Sequence, residues 1–248
     1  PLVSRRIIEL LLEAGLPKEW CSYLLCDNEV IRLLAKSNLL GYISFIGSPE
    51  IGWNMKKNIA PGVKITLEHG GNAPIIISKN ANISKAAPQV AKAGFYHAGQ
   101  VCVSAQRVYV HEENIASFTS QLNLQAQLQK VGNPKNKTTL IGPIITEEAI
   151  NRIDKWVMEA INEGATLICG GNKLKNNCYE PTILLNPSKK SAVTKAEIFG
   201  PIICIYSFQT NEEAINEANS SPYIFQSAAY SQNLNESFEF SKNLNGSA

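Results

Sequence analysis

Long apolar runs are the first thing this 248-residue chain lacks. A membrane-spanning helix needs ~18–20 consecutive apolar residues. The best candidate, residues 7–16, is broken by Glu9 and Glu13, so no membrane partner is expected. No secretory leader is expected either. Arg5 and Arg6 stand near the start, but no short apolar core and small-residue cleavage site follow them. The sequence is short of excess charge: its formal net charge is +2, with no long basic or acidic run. That excludes the electrostatic footprint of a nucleic-acid or anionic-membrane binder. Six cysteines are present (Cys21, Cys26, Cys102, Cys169, Cys178 and Cys204), but no two are at CxxC spacing and no histidine lies at a zinc-like offset. A structural zinc site, or any metal site, is therefore not expected. Scattered cysteines in a chain this long read as reduced thiols of a soluble, cytoplasmic protein. The GxGxxG dinucleotide fingerprint is absent too.

What remains is ordinary globular composition, 44% hydrophobic and 18% charged. A chain of this length buries roughly 70% or more of its unfolded surface, enough for one or two domains without staples. Periodicity predicts helices over 1–16, 29–36, 51–58, 83–95, 115–128, 146–164 and 211–219. It predicts strands over 22–25, 42–46, 64–67, 73–77, 107–110, 166–169, 181–185 and 201–207. Helix and strand alternate in the βαβ grammar of a parallel sheet, so the fold class is α/β. Residues 132–142 read as loop.

Four short segments could carry chemistry. In Gly99-Gln100-Val101-Cys102 a thiol sits in a small, loop-like context between helix and strand, where substrate can reach it. Taken alone, a buried structural cysteine is the commoner reading. In Leu67-Glu68-His69-Gly70-Gly71 a carboxylate ends an apolar strand before two glycines. Desolvation there would raise its pKa toward a general-base range, and the glycines let substrate or backbone come close. Taken alone, a surface glutamate beside a turn is the commoner reading. In Glu197-Ile198-Phe199-Gly200-Pro201 a carboxylate could bond a ribose while the ring packs nearby; alone, it is only a turn. In Phe45-Ile46-Gly47-Ser48-Pro49-Glu50-Ile51-Gly52 a strand end feeds a helix N-terminus, whose free amides and dipole favour phosphate.

In this order and at this spacing, the four segments resemble the aldehyde dehydrogenase superfamily. The resemblance runs over essentially the whole chain and includes Pro1-Leu2, residues 12–17, Gly142-Pro143 and Pro222-Tyr223. It implies a partial Rossmann-like parallel sheet, about residues 1–69, forming part of a dinucleotide-binding domain. A catalytic α/β domain would follow at about 70–248. It implies that Cys102 attacks an aldehyde carbon, that hydride passes to NAD or NADP, and that Glu68 activates the water that hydrolyses the thioester. The Cys102 amide would serve as one oxyanion donor. Glu197 and Phe199 would hold the nicotinamide ribose, with Gly47, Ser48, Ile51, Gly52 and His69 on the cofactor side.

His69 departs from the leucine usual in the family. Its imidazole either tunes Glu68 or packs near the cofactor. His97 and His111 are expected to be structural or exposed. The resemblance also places an oxyanion asparagine and the adenosine-binding residues upstream of Pro1, and an oligomerisation arm after Ala248, so a partial chain of a homo-oligomeric parent is expected. Two alternatives stay open: an inactive module serving binding or assembly, and an enzyme that passes the acyl group to coenzyme A.

Overall fold

A computed structural model describes residues 2–222 and 224–246. Pro1 and Tyr223, which contributed to the resemblance, lie outside the described residues. The chain divides into two compact units, Pro1–His69 and Gly70–Ala248.

The first unit begins with helix α1 (Leu2–Glu13) and helix α2 (Asn28–Ala35). Gly15, at φ 97°, takes the left-handed conformation that commonly ends a helix. Asp27 caps α2, accepting from the amides of Glu29 and Val30 at 3.1 and 3.0 Å. Strand β1 (Tyr42–Gly47), helix α3 (Pro49–Asn58) and strand β2 (Lys64–His69) follow as one βαβ unit. β1 and β2 are parallel, in register from Tyr42 opposite Lys64 to Gly47 opposite His69. The strand expected at 22–25 does not form: residues 21–27 have no regular structure. Among the described residues no neighbour offers that segment a ladder, and apolar composition alone does not satisfy a strand's amides.

The second unit is built on strands β3 (Ala73–Ile77), β4 (Ala105–His111), β5 (Thr166–Cys169), β6 (Thr182–Leu185), β7 (Ile202–Phe208) and β8 (Ala228–Tyr230). Between and after them run helices α4 (Ile83–Phe95), α5 (Ile115–Gln127), α6 (Glu147–Asn162), α7 (Ala192–Lys195), α8 (Asn211–Asn219) and α9 (Leu234–Asn243). The sheet order is β5-β6-β7-β4-β3-β8. Every pair is parallel except β5 with β6. β3 and β4 are buried along their whole length, as expected of strands covered on both faces. Ile76, Ile77, Val90, Phe95, Phe118, Leu122, Ile153, Val157, Ile203 and Ile205 form the centre of one continuous core. Each such side chain contributes about 1.5–3 kcal/mol of burial against the entropy of ordering the chain. Among the described residues no helix is long and apolar enough to cross a membrane, and no cluster of three or more His, Cys, Asp or Glu could hold a metal.

Candidate active site

Two of the chemistry-bearing segments and the Gly70-Gly71 end of a third belong to the second unit, and the sheet order explains why they meet. β7, β4 and β3 are parallel neighbours. Gly70–Asn72 precedes β3, Cys102 precedes β4, and Glu197–Pro201 precedes β7, so all three lie at the amino edge of the central strands.

The loop that leads to Cys102 is sharply bent. His97, Ala98 and Gly99 follow one another in the left-handed region, with φ of 50°, 57° and 66°. Gly99 packs backbone to backbone against the Gly200 carbonyl, so closely that a Cβ at Gly99 would collide with it. Cys102 then sits in a tight turn closed by the Ser104 amide on the Val101 carbonyl at 2.9 Å. The Ser104 hydroxyl bonds the Ala93 and Gly94 carbonyls, each at 3.3 Å, and so anchors that turn to the end of α4. Cys102 is half-buried. Burial pushes the Cys169 thiol up to about 11 and the Cys204 thiol up to about 12.

Glu197 is seated on the Gly70-Gly71 backbone. Its Oε1 accepts from the Gly71 amide at 3.2 Å. Gly70 lies against the same carboxylate and leaves no room for a Cβ. Its neighbour Ile198 is gripped at both backbone groups: its amide donates to Gln106 Oε1 at 2.8 Å, and its carbonyl accepts from Arg152 Nη2 at 2.9 Å. Burial raises the Glu197 carboxyl above its ordinary value, while the Gly71 amide and the Arg152 charge pull it partly back. Phe199, at φ 53°, is 38% exposed. A left-handed phenylalanine is a strained position of the kind that clusters at functional sites.

The positions that build this edge include several that motif reading missed. Arg107, 1% exposed, bonds the Asn72 carbonyl and Oδ1, the Tyr109 hydroxyl and the last carbonyls of α8 at Glu217 and Ala218. A buried cation at a helix C-terminus is favoured by the dipole. Asn72 in turn donates to the Thr194 carbonyl at 2.8 Å. Gln106 donates to the Val193 and Ala196 carbonyls at 3.0 and 2.7 Å. The available signal was polar Gln106-Arg107 inside a strand with no exposed position, since buried polar groups demand partners.

Glu68, His69 and the Gly47–Gly52 turn belong to the first unit. Strand alternation places Glu68 and His69 on opposite faces of β2, so His69 does not reach Glu68 directly. Glu68 is exposed, and the desolvation expected for it is absent because it falls on the outward set of an alternating strand. The His69 imidazole instead lies against Gly52 and edge-on to Trp53, with ring centroids 5.4 Å apart. Its Nε2 is buried without a partner. At the start of α3 the Ser48 hydroxyl caps the Ile51 amide at 3.5 Å. Pro49 has no N–H, and the Gly52 amide bonds the Ser48 carbonyl at 3.0 Å. The helix end therefore offers fewer free amides than the sequence suggested.

The family model for the aldehyde dehydrogenase family matches residues 1–247. The chain is 35% identical over 235 residues to 3-sulfolactaldehyde dehydrogenase of Priestia aryabhattai, covering 94% of this chain and 49% of that protein. It is 36% identical over 211 residues to a lactaldehyde dehydrogenase of Methanococcus maripaludis, covering 85% of this chain and 45% of that one. The chain thus spans about half the length of the curated relatives it matches. Among solved structures, betaine aldehyde dehydrogenase of Staphylococcus aureus in complex with NAD+ superposes with a TM-score of 0.91 at 30% identity, over 98% of this chain and 50% of that one. Lactaldehyde dehydrogenase of Escherichia coli gives 0.91 at 31%, over 97% and 52%.

Proposed function

Because the chain belongs to the aldehyde dehydrogenase family, we propose that it takes part in the NAD(P)-dependent oxidation of an aldehyde to a carboxylic acid, with Cys102 as nucleophile and Glu68 as the deacylating base. Residues 1–69 serve cofactor binding and residues 70–248 carry the thiol chemistry. The observation that carries the reading is the seating of the Cys102 turn beside the Glu197–Pro201 loop through the Gly99–Gly200 backbone contact.

The residues fit a nicotinamide cofactor. Glu197 is a half-buried carboxylate with a single backbone donor from Gly71, which leaves oxygen lone pairs for ribose hydroxyls. Phe199, partly exposed, stands two residues on. Gly47, Ser48, Ile51 and Gly52 lie at the start of α3, where the helix dipole favours a phosphate group. When bound, the cofactor supplies the hydride acceptor.

Cys102 Sγ adds to the aldehyde carbon, and the Cys102 amide stabilises the oxyanion that forms. Loss of hydride from that carbon leaves a thioester on Cys102. Glu68 takes a proton from the water that attacks the thioester carbonyl; the carboxylic acid departs and the thiol is restored. The substrate is a small-molecule aldehyde, and the working protein is a homo-oligomer. An aldehyde panel that includes lactaldehyde and sulfolactaldehyde, given to the complete protein, tests the reading. Cys102→Ser should abolish NAD(P)H production. Glu68→Gln should slow steady-state turnover by about 10²–10⁴-fold and leave an initial burst of reduced cofactor. Undiminished turnover in either variant refutes the assignment.

A further inference from the structure

The turn that presents Cys102 is costly to hold. His97 and Ala98 are not glycines, yet both take the left-handed backbone that L-residues avoid, and Gly99 continues it. Something next to the turn must over-determine it. Gln100 is placed to do so. Its backbone amide and its side-chain Nε2 both donate to the His97 carbonyl, each at 3.2 Å, closing the left-handed turn from its far side. The same Nε2 donates to the Pro143 carbonyl at 3.2 Å, and Oε1 accepts from the Ile145 amide at 2.9 Å. One side-chain amide thus makes three backbone bonds across 45 residues of sequence.

The far end of this staple is itself fixed. The Ile144 amide, between the two bonded residues, donates to the Asn177 carbonyl at 2.8 Å. Thr146 follows at once and caps α6 through the Ala149 amide at 3.2 Å. α6 carries Arg152, which holds the Ile198 carbonyl beside Glu197. The nucleophile turn and the Glu197 loop therefore share one support.

We propose that Gln100 is a positioning residue that holds the left-handed turn presenting Cys102 and ties it to the entrance of α6. This rests on the reading of Cys102 as the reactive thiol. A primary amide is needed because the two ends require opposite chemistry, donation to His97 and Pro143 and acceptance from Ile145. Glutamate keeps only the acceptor, and methionine, of similar length, keeps neither. Without the staple the turn relaxes toward the right-handed region and Cys102 withdraws.

Iodoacetamide labelling of the 248-residue chain, read residue by residue by mass spectrometry across pH 6–9, tests this. In the unsubstituted chain Cys102 should label well ahead of Cys169. Gln100→Met should slow Cys102 labelling about tenfold, the equivalent of losing one to two net hydrogen bonds, and shift its pH profile, with Cys169 unchanged. Gln100→Glu should fall between the two. If Cys102 labels no faster than Cys169 in the unsubstituted chain, both the thiol assignment and the staple fail. If Cys102 is selectively labelled but both variants keep its rate and pH profile, the staple alone fails. Should Gln100→Met unfold the chain and expose every cysteine, Gln100→Glu decides on the same criteria.

Discussion

The Gly71 amide donates to Glu197 Oε1 at 3.2 Å across 126 residues of sequence. The bond joins the head of β3 to the loop at the head of β7. It makes Gly70-Gly71 the seat of a carboxylate as well as the exit from the Glu68 strand. The need for glycine at position 70 follows: a Cβ there would occupy the space of the Glu197 oxygens.

Burial raises the Glu197 carboxyl, which makes a stability prediction with a definite sign. The unfolded carboxyl ionises first as pH rises, so the folded chain loses stability between the ordinary carboxylate range near ~4.3 and the raised folded value. Below that window both states are protonated and nothing is lost. Glu197→Gln removes the titration, so its Tm relative to the unsubstituted chain should be higher at pH 7 than at pH 3.5. Solvent screening of a half-exposed group keeps the difference under about 1 kcal/mol, or about 2–4 °C at this size. Calorimetry at the two pH values checks it; an equal or inverted difference counts against the burial argument.

Thiol reactivity should sort by environment. A thiol at about 11, as at Cys169, is only about one part in ten thousand ionised at pH 7, and Cys204 at about 12 is lower still. Cys204 is also fully buried. A limiting electrophile at pH 7 should therefore modify Cys102 well before either, by at least about tenfold in rate. Peptide mapping of the first labelled cysteine checks this, and early modification of Cys169 or Cys204 in the folded chain would contradict it.

The α/β alternation was legible because period-2 and period-3.6 patterns survive in single segments. β3, α4, β5 and α8 occupy the residues that pattern predicts, 73–77, 83–95, 166–169 and 211–219. β8 and α9 were not legible. The three residues of β8 are too few to show a period, and α9 mixes Phe238 and Phe240 with Asn, Glu and Ser. The 22–25 strand was a false positive, since a four-residue, mostly apolar segment carries no information about a pairing partner. The site followed the same rule. Cys102, Glu68 and Glu197, the proposed site residues, stand in local motifs. Gln100, Gln106, Arg107 and Arg152 act through backbone carbonyls and amides of distant segments, which local patterns do not encode.

Gly99 is predicted to be irreplaceable. Alanine would meet two penalties at once, a φ of 66° and overlap with the Gly200 carbonyl. The second partner is backbone and cannot rotate away. Gly99→Ala should cost about 3 kcal/mol or more, at the severe end for a single substitution, and abolish selective Cys102 labelling. Denaturant unfolding measures the first effect. A loss under about 1 kcal/mol would mean that the two loops are not in backbone contact.

Gly52 and His69 should behave as a coupled pair. A Cβ at Gly52 would collide with His69 Nε2 and lie 3.0 Å from Cδ2 and 3.1 Å from Phe45 Cδ1. The first two contacts come from one imidazole; the third is only tight. Gly52→Ala alone should therefore destabilise the first unit, even though alanine is the better helix former by about 1 kcal/mol. His69→Ala alone should cost less, because it deletes a ring whose Nε2 is buried without a hydrogen bond. Replacing both should recover most of the Gly52→Ala loss, since the clash has gone and the helix gain remains. The double-mutant cycle should give a favourable coupling of about 1–3 kcal/mol, within the range for residues in direct contact. Additive effects in urea unfolding would mean that His69 does not rest on Gly52.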